Sequence, residues 1–172
     1  MTALADDIHQ LRIRWARRKD ITAVAAMSKA FRAELNEDTV GLTEAALRRD
    51  GFGLKTEFDL LVAEVAGEIA GYALFLESYE PSYSERGLYL ADLYVRPEFR
   101  GGGVGRTLVT CVAAEGKRRQ RSFVWWVALA TNRPAHAFYE HIGARAVPVT
   151  GHAAFGEMFD ALASAAPKIE RR

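Results

Sequence analysis

Apolar and small side chains recur at steps of three and four residues early in the chain. These positions are Ile21, Val24, Ser28, Phe31 and Leu35. The spacing predicts an amphipathic helix that ends near Asn36, with Asp20 accepting hydrogen bonds from its first free amides. Residues 13–16 predict a short strand before this helix. Thr43 is expected to cap a second, shorter helix that closes near Gly51.

The middle of the chain has the composition of paired strands. Residues 60–65 predict a strand, residues 66–68 a tight turn, and residues 69–78 the returning strand of a β-hairpin. After a loop, residues 88–95 predict a third strand. Pro97 ends it, because proline has no N–H to donate to a ladder.

Helical spacing returns in the second half. One face of the next predicted helix carries Val104, Leu108, Cys111 and Val112. The basic residues 117–119 indicate its C-terminal end, because cations suit that end of the helix dipole. Residues 123–129 predict a hydrophobic strand, and residues 133–142 predict a further helix that Gly143 stops. One or two edge strands are expected after residue 145.

The order of these elements predicts an α/β (α+β) fold. Strands that first pair as hairpins and then alternate with helices favour a mixed sheet covered by helices. We expect a mostly antiparallel central sheet of about six or seven strands, flanked by about four helices. Because no repeat or linker is evident, residues 1–172 are expected to form a single domain, with a core over about residues 11–162 and a frayed tail over residues 163–172.

Composition and charge exclude several classes of protein. The 172 residues include 23 lysines and arginines against 22 acidic residues, which excludes a strongly basic nucleic-acid binder of the simple kind. A single cysteine excludes an internal disulfide framework. Since neither a leader peptide nor an apolar run of ~20 residues is evident, we expect a soluble, cytoplasmic protein that does not enter the membrane. His136 and His141 are five residues apart, on different helix faces, and we expect no metal site.

A glycine-rich turn carries the most chemical information. Residues 95–105 predict a strand end, a glycine cluster and a helix start, an arrangement in which free helical amides cradle an anion such as phosphate. Arg100 and Arg106 flank the glycines and add positive charge. The turn has neither the Gly-Lys-Ser/Thr of a P-loop nor the third glycine of a dinucleotide fingerprint, so both nucleotide-binding motifs are excluded.

The same turn resembles a known motif. Residues 100–105 match the acetyl-CoA motif Arg/Gln-x-x-Gly-x-Gly/Ala of the GCN5-related N-acetyltransferases. Residues 89–95 resemble the strand before that motif, and residues 132–144 resemble the family's Asn-x-x-Ala-x-x-Phe-Tyr-x-x-x-Gly-Ala helix. Within the family, residues 71–144 are most similar to the spermidine/spermine (diamine) acetyltransferases.

The resemblance implies acetyl transfer from acetyl-CoA to a primary amine of a small molecule (a polyamine, a diamine or an amino-acid-like amine) by direct attack in a ternary complex, and it implies a homodimer. Leu93, Tyr94 and Val95 would hold the pantetheine arm and the thioester through main-chain groups. The residues implied around the pyrophosphate are Arg100, Gly101, Gly102, Gly103, Val104, Gly105 and Arg106. Asn132 and Ala135 would complete the cofactor site, while Tyr139 would protonate the departing thiolate.

Elementary chemistry supports these roles. A backbone amide aimed at the developing oxyanion lowers the barrier to attack on a thioester. A phenol, with a reference pKa of ~10 against ~8.5 for a thiol, can donate to a leaving thiolate while it stays protonated at neutral pH. The attacking amine must also lose a proton. The candidate carboxylates are Glu77, Glu80, Glu85 and Asp92, and we expect a water chain to Glu77 or Glu80.

Ala91 departs from the resembled subfamily, in which a glutamate precedes the aspartate of this strand. Because side chains alternate along a strand, Asp92 is expected to face away from position 91 and not to replace that glutamate. The base and the polyamine specificity therefore stay open. Two alternatives stay open beside the small-amine enzyme, namely a non-catalytic acyl-CoA-binding or regulatory domain and a protein or peptide N-acetyltransferase.

Overall fold

A mixed β-sheet organises the protein in a computed structural model that describes residues 10–168 and residue 170. Five strands lie side by side in sequence order in this part of the chain. They are β1 (Arg12–Trp15), β2 (Asp59–Val65), β3 (Glu68–Glu80), β4 (Glu85–Val95) and β5 (Phe123–Trp125). The first four pair antiparallel and β5 joins β4 in parallel. The predicted sheet type is confirmed, with five strands in place of six or seven.

Five α-helices accompany the sheet within the described ranges. They are α1 (Ile21–Glu34), α2 (Glu44–Ala46, continued by a π-helical turn over Leu47–Gly51), α3 (Val104–Arg118), α4 (Arg133–His141) and α5 (Glu157–Ser164). The chain forms two compact units, one that ends at His136 and one that begins at Ala137. None of the helices that the structure describes is long and apolar enough to span a bilayer.

Apolar side chains cover both faces of the sheet in the first unit. The core on one face joins α1 and α2 to β2, β3 and β4, and its buried members are Ile21, Val24, Met27, Leu47, Leu60, Val62, Tyr72, Leu74 and Tyr94. The helix α3 lies on the other face, where Gly116 packs against Leu88 of β4. Phe75 follows Leu74 in β3 and therefore faces the α3 side, where it is fully buried.

The predicted caps differ in outcome. Thr43 caps α2 as expected, because its hydroxyl oxygen accepts from the Ala46 amide at 3.1 Å. Asp20 precedes α1 but its side chain does not cap the helix. Its carboxylate instead accepts from the Arg14 guanidinium at 2.7 and 3.0 Å and from the Arg17 amide at 2.7 Å. The capping prediction is wrong because the Arg14 guanidinium and the Arg17 amide already occupy the carboxylate.

The end of the chain also differs from the prediction. The strand predicted over residues 123–129 stops at Trp125, and residues 145–155 are irregular where edge strands were expected. Pro148 and Gly151 interrupt this stretch, and both residues disfavour a sheet ladder. The tail predicted to fray begins inside α5, and residues 169, 171 and 172 lie outside the described residues.

The hairpin between β2 and β3 is confirmed, and its turn offers a test of local strain. The two-residue loop holds Ala66 at φ +49° and Gly67 at φ +86°. Alanine resists this left-handed region, whereas Asn-Gly is the preferred pair for such a turn. We expect Ala66→Asn to raise the free energy of unfolding by about 0.5–1 kcal/mol and Ala66→Val to lower it. Urea unfolding of the two variants measures both changes, and equal midpoints would contradict the prediction.

Candidate active site

A β-bulge interrupts β4 at Ala91. Asp92 pairs with Leu74 of β3 and the next pair joins Leu90 to Phe75, so Ala91 is an extra residue on β4. An extra residue reverses the alternation of faces along a strand. Leu90 therefore shares the α3 side with Phe75, while Asp92 shares the α1 side with Leu74. One strand thus contributes to both apolar cores.

The bulge brings Ala91 and Asp92 to the same cleft. This open cleft has a volume of about 390 Å³ and lies in the first unit, between α1, the segment that follows it, and β4. Its lining consists of Ser28, Arg32, Thr39, Val40, Gly41, Leu42, Leu74, Ala91 and Asp92. The expectation that Asp92 faces away from position 91 is wrong, because the regular alternation on which it depends is broken at this residue.

Beyond the bulge, one edge of β4 has no strand beside it in the described part of the chain. The β5 strand pairs with β4 only from Gly87 to Tyr89. The Arg96 amide donates across to Ala70 of β3 at 2.9 Å. Because successive peptide groups point to opposite sides, those of Leu93 and Val95 point toward the open edge. An extended ligand with amide groups can bond to such an edge as a further strand does.

The glycine-rich turn joins the end of β4 to α3. Gly101 and Gly103 have φ values of +81° and +83°, in the region that favours glycine. A Cβ added at either position would meet no atom within 4 Å, so the space beside both glycines is open. The first amides of α3 have no partners within the helix and carry the positive end of its dipole. The turn therefore suits an anion.

Arg100 connects the start of this turn to α1. Its Nη2 donates to both carboxylate oxygens of Glu34, at 2.8 and 3.0 Å. The Tyr94 hydroxyl donates to the same carboxylate at 2.9 Å. Burial, followed by the hydrogen bond to Glu34, raises the pKa of Tyr94 to about 12. The phenol is therefore a permanent donor at neutral pH, and Glu34 is held by two partners.

Asp92 is engaged on both of its oxygens at the wall of the cleft. The Tyr72 hydroxyl donates to Oδ2 at 2.6 Å and Arg32 Nη2 donates to Oδ1. Burial and the neighbouring Asp92 carboxylate raise the pKa of Tyr72 above its ordinary value, so this phenol also stays protonated. Arg32 Nη1 extends the cluster to Glu37 at 3.1 Å. The carboxylate is thus held by one residue of the sheet, Tyr72, and by one residue of α1, Arg32.

Comparison with known proteins identifies the family. The model of the acetyltransferase (GNAT) family matches residues 23–144, which include the cleft, the bulge and the glycine-rich turn. The chain belongs to the GNAT family. Its members are acetyl-CoA-dependent N-acetyltransferases, as the sequence motifs implied.

The names of curated relatives within the GNAT family describe enzymes that act on small amines. The chain is 36% identical over 116 residues to thialysine N-epsilon-acetyltransferase of Bos taurus, which covers 63% of this chain and 68% of the relative. The Mus musculus enzyme of the same name is 34% identical over 144 residues, with 78% and 84% covered. L-ornithine N5-acetyltransferase NATA1 of Arabidopsis thaliana is 32% identical over 77 residues, with 45% and 34% covered.

Solved structures share the GNAT fold at low identity. An integron cassette protein from the mobile metagenome of V. cholerae superposes with a TM-score of 0.73 at 19% identity, over 91% of this chain and 99% of that one. The aminoglycoside N-acetyltransferase AAC(6')-Iy, solved in complex with CoA, superposes with a TM-score of 0.70 at 17% identity, over 83% and 93%. At such identities the likeness establishes the fold alone.

The acetyl-CoA that the GNAT family uses fits the residues present. The open space beside Gly101 and Gly103 accommodates a pyrophosphate over the first amides of α3. The outward peptide group of Leu93 and the outward N–H of Val95 match the amides of a pantetheine arm along the open edge, while the Val95 carbonyl accepts from Arg100 Nε at 2.8 Å. Among the described residues, no group of three His, Cys, Asp or Glu side chains could hold a metal ion.

The three other carboxylates predicted as candidates for proton removal lie outside the cleft lining. Glu77 accepts from Arg121 at 2.5 Å and from Arg119 at 3.2 Å, and these bonds hold its pKa below the ordinary value. Glu80 accepts from the Ser82 amide at 3.0 Å, which also lowers its pKa. Glu85 accepts from the Ser122 hydroxyl at 2.9 Å. Of the four predicted candidates, the structure brings only Asp92 to the cleft.

The helix motif has its own local geometry. Asn132 Oδ1 accepts from the Ala135 amide at 3.2 Å, so Asn132 caps α4. Tyr139 belongs to the second unit, where its ring packs against Phe138 with centroids 5.2 Å apart. Its carbonyl accepts from the Ala144 amide at 3.0 Å, next to Gly143 at φ +84°, which ends the helix as predicted.

The sequence did not predict Arg32 and Tyr72 as the two residues that bond Asp92 at the wall of the cleft. Arg32 looked like a polar residue between apolar positions, although it follows Ser28 by one helical turn. Ser28 is fully buried, so that face of α1 points at the protein interior. A charged side chain on the same face was the available signal. No such signal marked Tyr72, because tyrosine is an ordinary residue in a strand.

The open turn predicts a specific effect on cofactor affinity. We expect Gly103→Ala to weaken acetyl-CoA binding at least about tenfold, because the new methyl group occupies the space where the anion approaches. Gly67→Ala is a matched control, since Gly67 has φ +86° and equally open surroundings but lies in the β2–β3 turn. Calorimetric titration with acetyl-CoA measures the affinity of both variants. Equal losses in both would mean that backbone strain alone is responsible.

Proposed function

We propose that this protein transfers the acetyl group of acetyl-CoA to the primary amine of a small molecule held in the cleft between α1 and β4. The observation that supports this proposal most directly is the bulge at Ala91. At this residue the open edge of β4 meets the cleft that Ala91 and Asp92 line. A cosubstrate along the edge and an acceptor in the cleft would therefore meet at one point, as direct attack requires.

The cosubstrate side would rest on backbone groups and arginines. Acetyl-CoA, when bound, supplies an acetyl group activated as a thioester. Main-chain groups of Leu93, Tyr94 and Val95 would bond the pantetheine arm and polarise the thioester carbonyl. Residues 100–105 and Arg106 would bind the pyrophosphate, with Asn132 and Ala135 at the pantetheine. Tyr139 would donate a proton to the departing thiolate.

The acceptor side would rest on the cleft. Apart from Arg32 and Asp92, its lining consists of small, apolar or hydroxyl-bearing side chains, which suit a slender alkyl amine. We propose that the proton of the attacking ammonium leaves through water held by Asp92, which lines the cleft, rather than through Glu77 or Glu80, which do not. Names of the relatives support an amine of a small amino acid as acceptor.

A panel of acceptors tests the proposed function. Thiol release from acetyl-CoA would be followed with thialysine, ornithine, diamines, polyamines and N-terminal peptides. Turnover is expected with at least one small amine and not with the peptides. Tight binding of acetyl-CoA without turnover of any amine would favour a non-catalytic acyl-CoA-binding domain, and turnover of peptides alone would favour a protein acetyltransferase.

We also propose that the protein is a homodimer, as its sequence subfamily implies. Large apolar side chains are exposed in the second unit, a condition typical of a surface that another chain covers. They are Val147, Val149, Phe155, Met158, Phe159 and Leu162. Light scattering of the purified protein gives the mass in solution, and a monomer at micromolar concentration would contradict the proposal.

A further inference from the structure

Charged side chains are few in the lining of the cleft. Of the nine residues that form it, Arg32 and Asp92 are charged, and the rest are small, apolar or hydroxyl-bearing. Ala91 contributes a methyl group at the bulge and no charge. The balance between Arg32 and Asp92 therefore determines which charged acceptors the cleft accepts.

Arg32 is held firmly at this wall. Its side chain is 20% exposed, it donates to Asp92 and Glu37, and its guanidinium carbon lies 4.5 Å from the centroid of the Phe31 ring. Its Nε is buried and has no hydrogen-bond partner among the described residues. Because that atom is buried, it is not open to a ligand in the cleft; the donor capacity that neither carboxylate uses is the second N–H of Nη1 and of Nη2.

A charge count gives the consequence. Arg32 offsets Asp92, and Glu37 adds one further negative charge to the cluster. One uncompensated negative charge can balance one ammonium group. A second ammonium in the cleft would face the Arg32 guanidinium, and like charges placed together are unfavourable.

We propose that Arg32 is the residue that determines acceptor specificity by charge. It neutralises Asp92 within the protein, so that the cleft selects acceptors with a net charge of +1 or less, such as monoamines and diamino acids, over diamines and polyamines. The unused donors of Arg32 favour an acceptor that carries a carboxylate. The inference depends on the proposed function and narrows its substrate class.

Two acceptors that differ by one carboxylate test this inference. Thialysine has a net charge of +1, because its carboxylate offsets the α-ammonium group, whereas its decarboxylated form, bis(2-aminoethyl) sulfide, has a net charge of +2. The wild-type protein is expected to show a kcat/KM at least about tenfold higher for thialysine. Arg32→Gln should reduce this ratio at least about tenfold, with most of the change coming from a gain on the diamine. Arg32→Lys should keep the preference.

Arg48→Gln is the matched control. Arg48 lies in the turn that follows α2, its side chain is 55% exposed, and it pairs with Glu44 outside the cleft lining. The substitution removes the same charge from the protein, and the ratio should stay as in the wild type. Circular dichroism verifies that each variant is folded, and Arg32→Met replaces Arg32→Gln if the latter is not.

The outcomes separate the inference from the proposed function. A wild-type ratio near one, or an unchanged ratio in a folded Arg32→Gln protein, overturns the inference and leaves the acetyltransferase activity intact. If neither amine is acetylated, the proposed function fails for these acceptors. In that case calorimetric titration of both amines into the protein with CoA decides the inference, since tenfold tighter binding of thialysine supports it and equal affinities overturn it.

Discussion

Replacing Tyr139 by phenylalanine is expected to lower kcat at least about hundredfold, because the departing thiolate then leaves without a proton donor. The Kd for acetyl-CoA is expected to change by less than about twofold, since the aromatic ring and its packing against Phe138 remain. The reason is chemical rather than structural. Only the hydroxyl group is lost, and in the proposed mechanism this group acts when the carbon–sulfur bond breaks.

Two measurements separate this effect from loss of structure. Initial rates with saturating acetyl-CoA give kcat, and titration of the protein with acetyl-CoA gives Kd. Tyr79→Phe is the matched control, because Tyr79 is a strand residue with 58% of its surface exposed and has no proposed role. A Tyr139→Phe protein that retains the wild-type kcat would remove Tyr139 from the mechanism.

Breaking the buried ion pair between Arg14 and Asp20 is expected to cost about 3–5 kcal/mol of stability. Asp20 is 4% exposed, and Arg14 bonds both of its carboxylate oxygens while its Nε donates to Glu64 at 2.9 Å. In Arg14→Met the carboxylate keeps the Arg17 amide and loses its counter-ion. Urea unfolding at pH 7 measures the loss. Arg12→Met, an exposed arginine of the same strand, should change stability by less than about 0.5 kcal/mol.

The pH dependence gives this prediction a second readout. Burial opposes ionisation of Asp20, but the bonds from Arg14 and the Arg17 amide outweigh it and hold its pKa below the ordinary value of 3.8. A carboxyl whose folded pKa is lowered contributes stability above its unfolded pKa and loses it as the pH falls through the folded pKa. The difference between wild type and Arg14→Met should therefore be largest near neutral pH and shrink below about pH 4. A difference independent of pH would contradict the role of the ion pair.

Local signals account for the parts of the fold that the sequence predicted. The hairpin follows from two apolar runs around Ala66-Gly67, and α3 follows from a glycine cluster before a helical spacing. Each signal lies within about a dozen residues, so no tertiary information was needed. The family motifs are similarly compact, so the glycine-rich turn and the Asn132–Tyr139 pattern are evident in the sequence itself.

No local sequence signal of this kind marks the bulge at Ala91 or the group of side chains bonded to Asp92. Leu88, Leu90, Asp92 and Tyr94 have the same spacing whether the strand is regular or contains an extra residue, so alternation alone would place all four on one face. Arg32 and Asp92 are separated by sixty residues along the chain and meet only when α1 packs on the sheet. Asp20 failed as a cap for the same reason, since its partner Arg14 lies on another element.

The bulge makes residue 91 tolerant to one kind of genetic change and sensitive to another. Its side chain is exposed at the cleft, so a substitution there alters the chemistry offered to an acceptor with little effect on packing. Deleting the codon would remove the extra residue and restore regular alternation. One of the two residue pairs would then turn to the opposite face of the sheet and lose its present packing. The pair would be either Leu88 with Leu90 or Asp92 with Tyr94. Substrate preference at this site can therefore evolve through point mutations, whereas insertions and deletions are blocked by the fold.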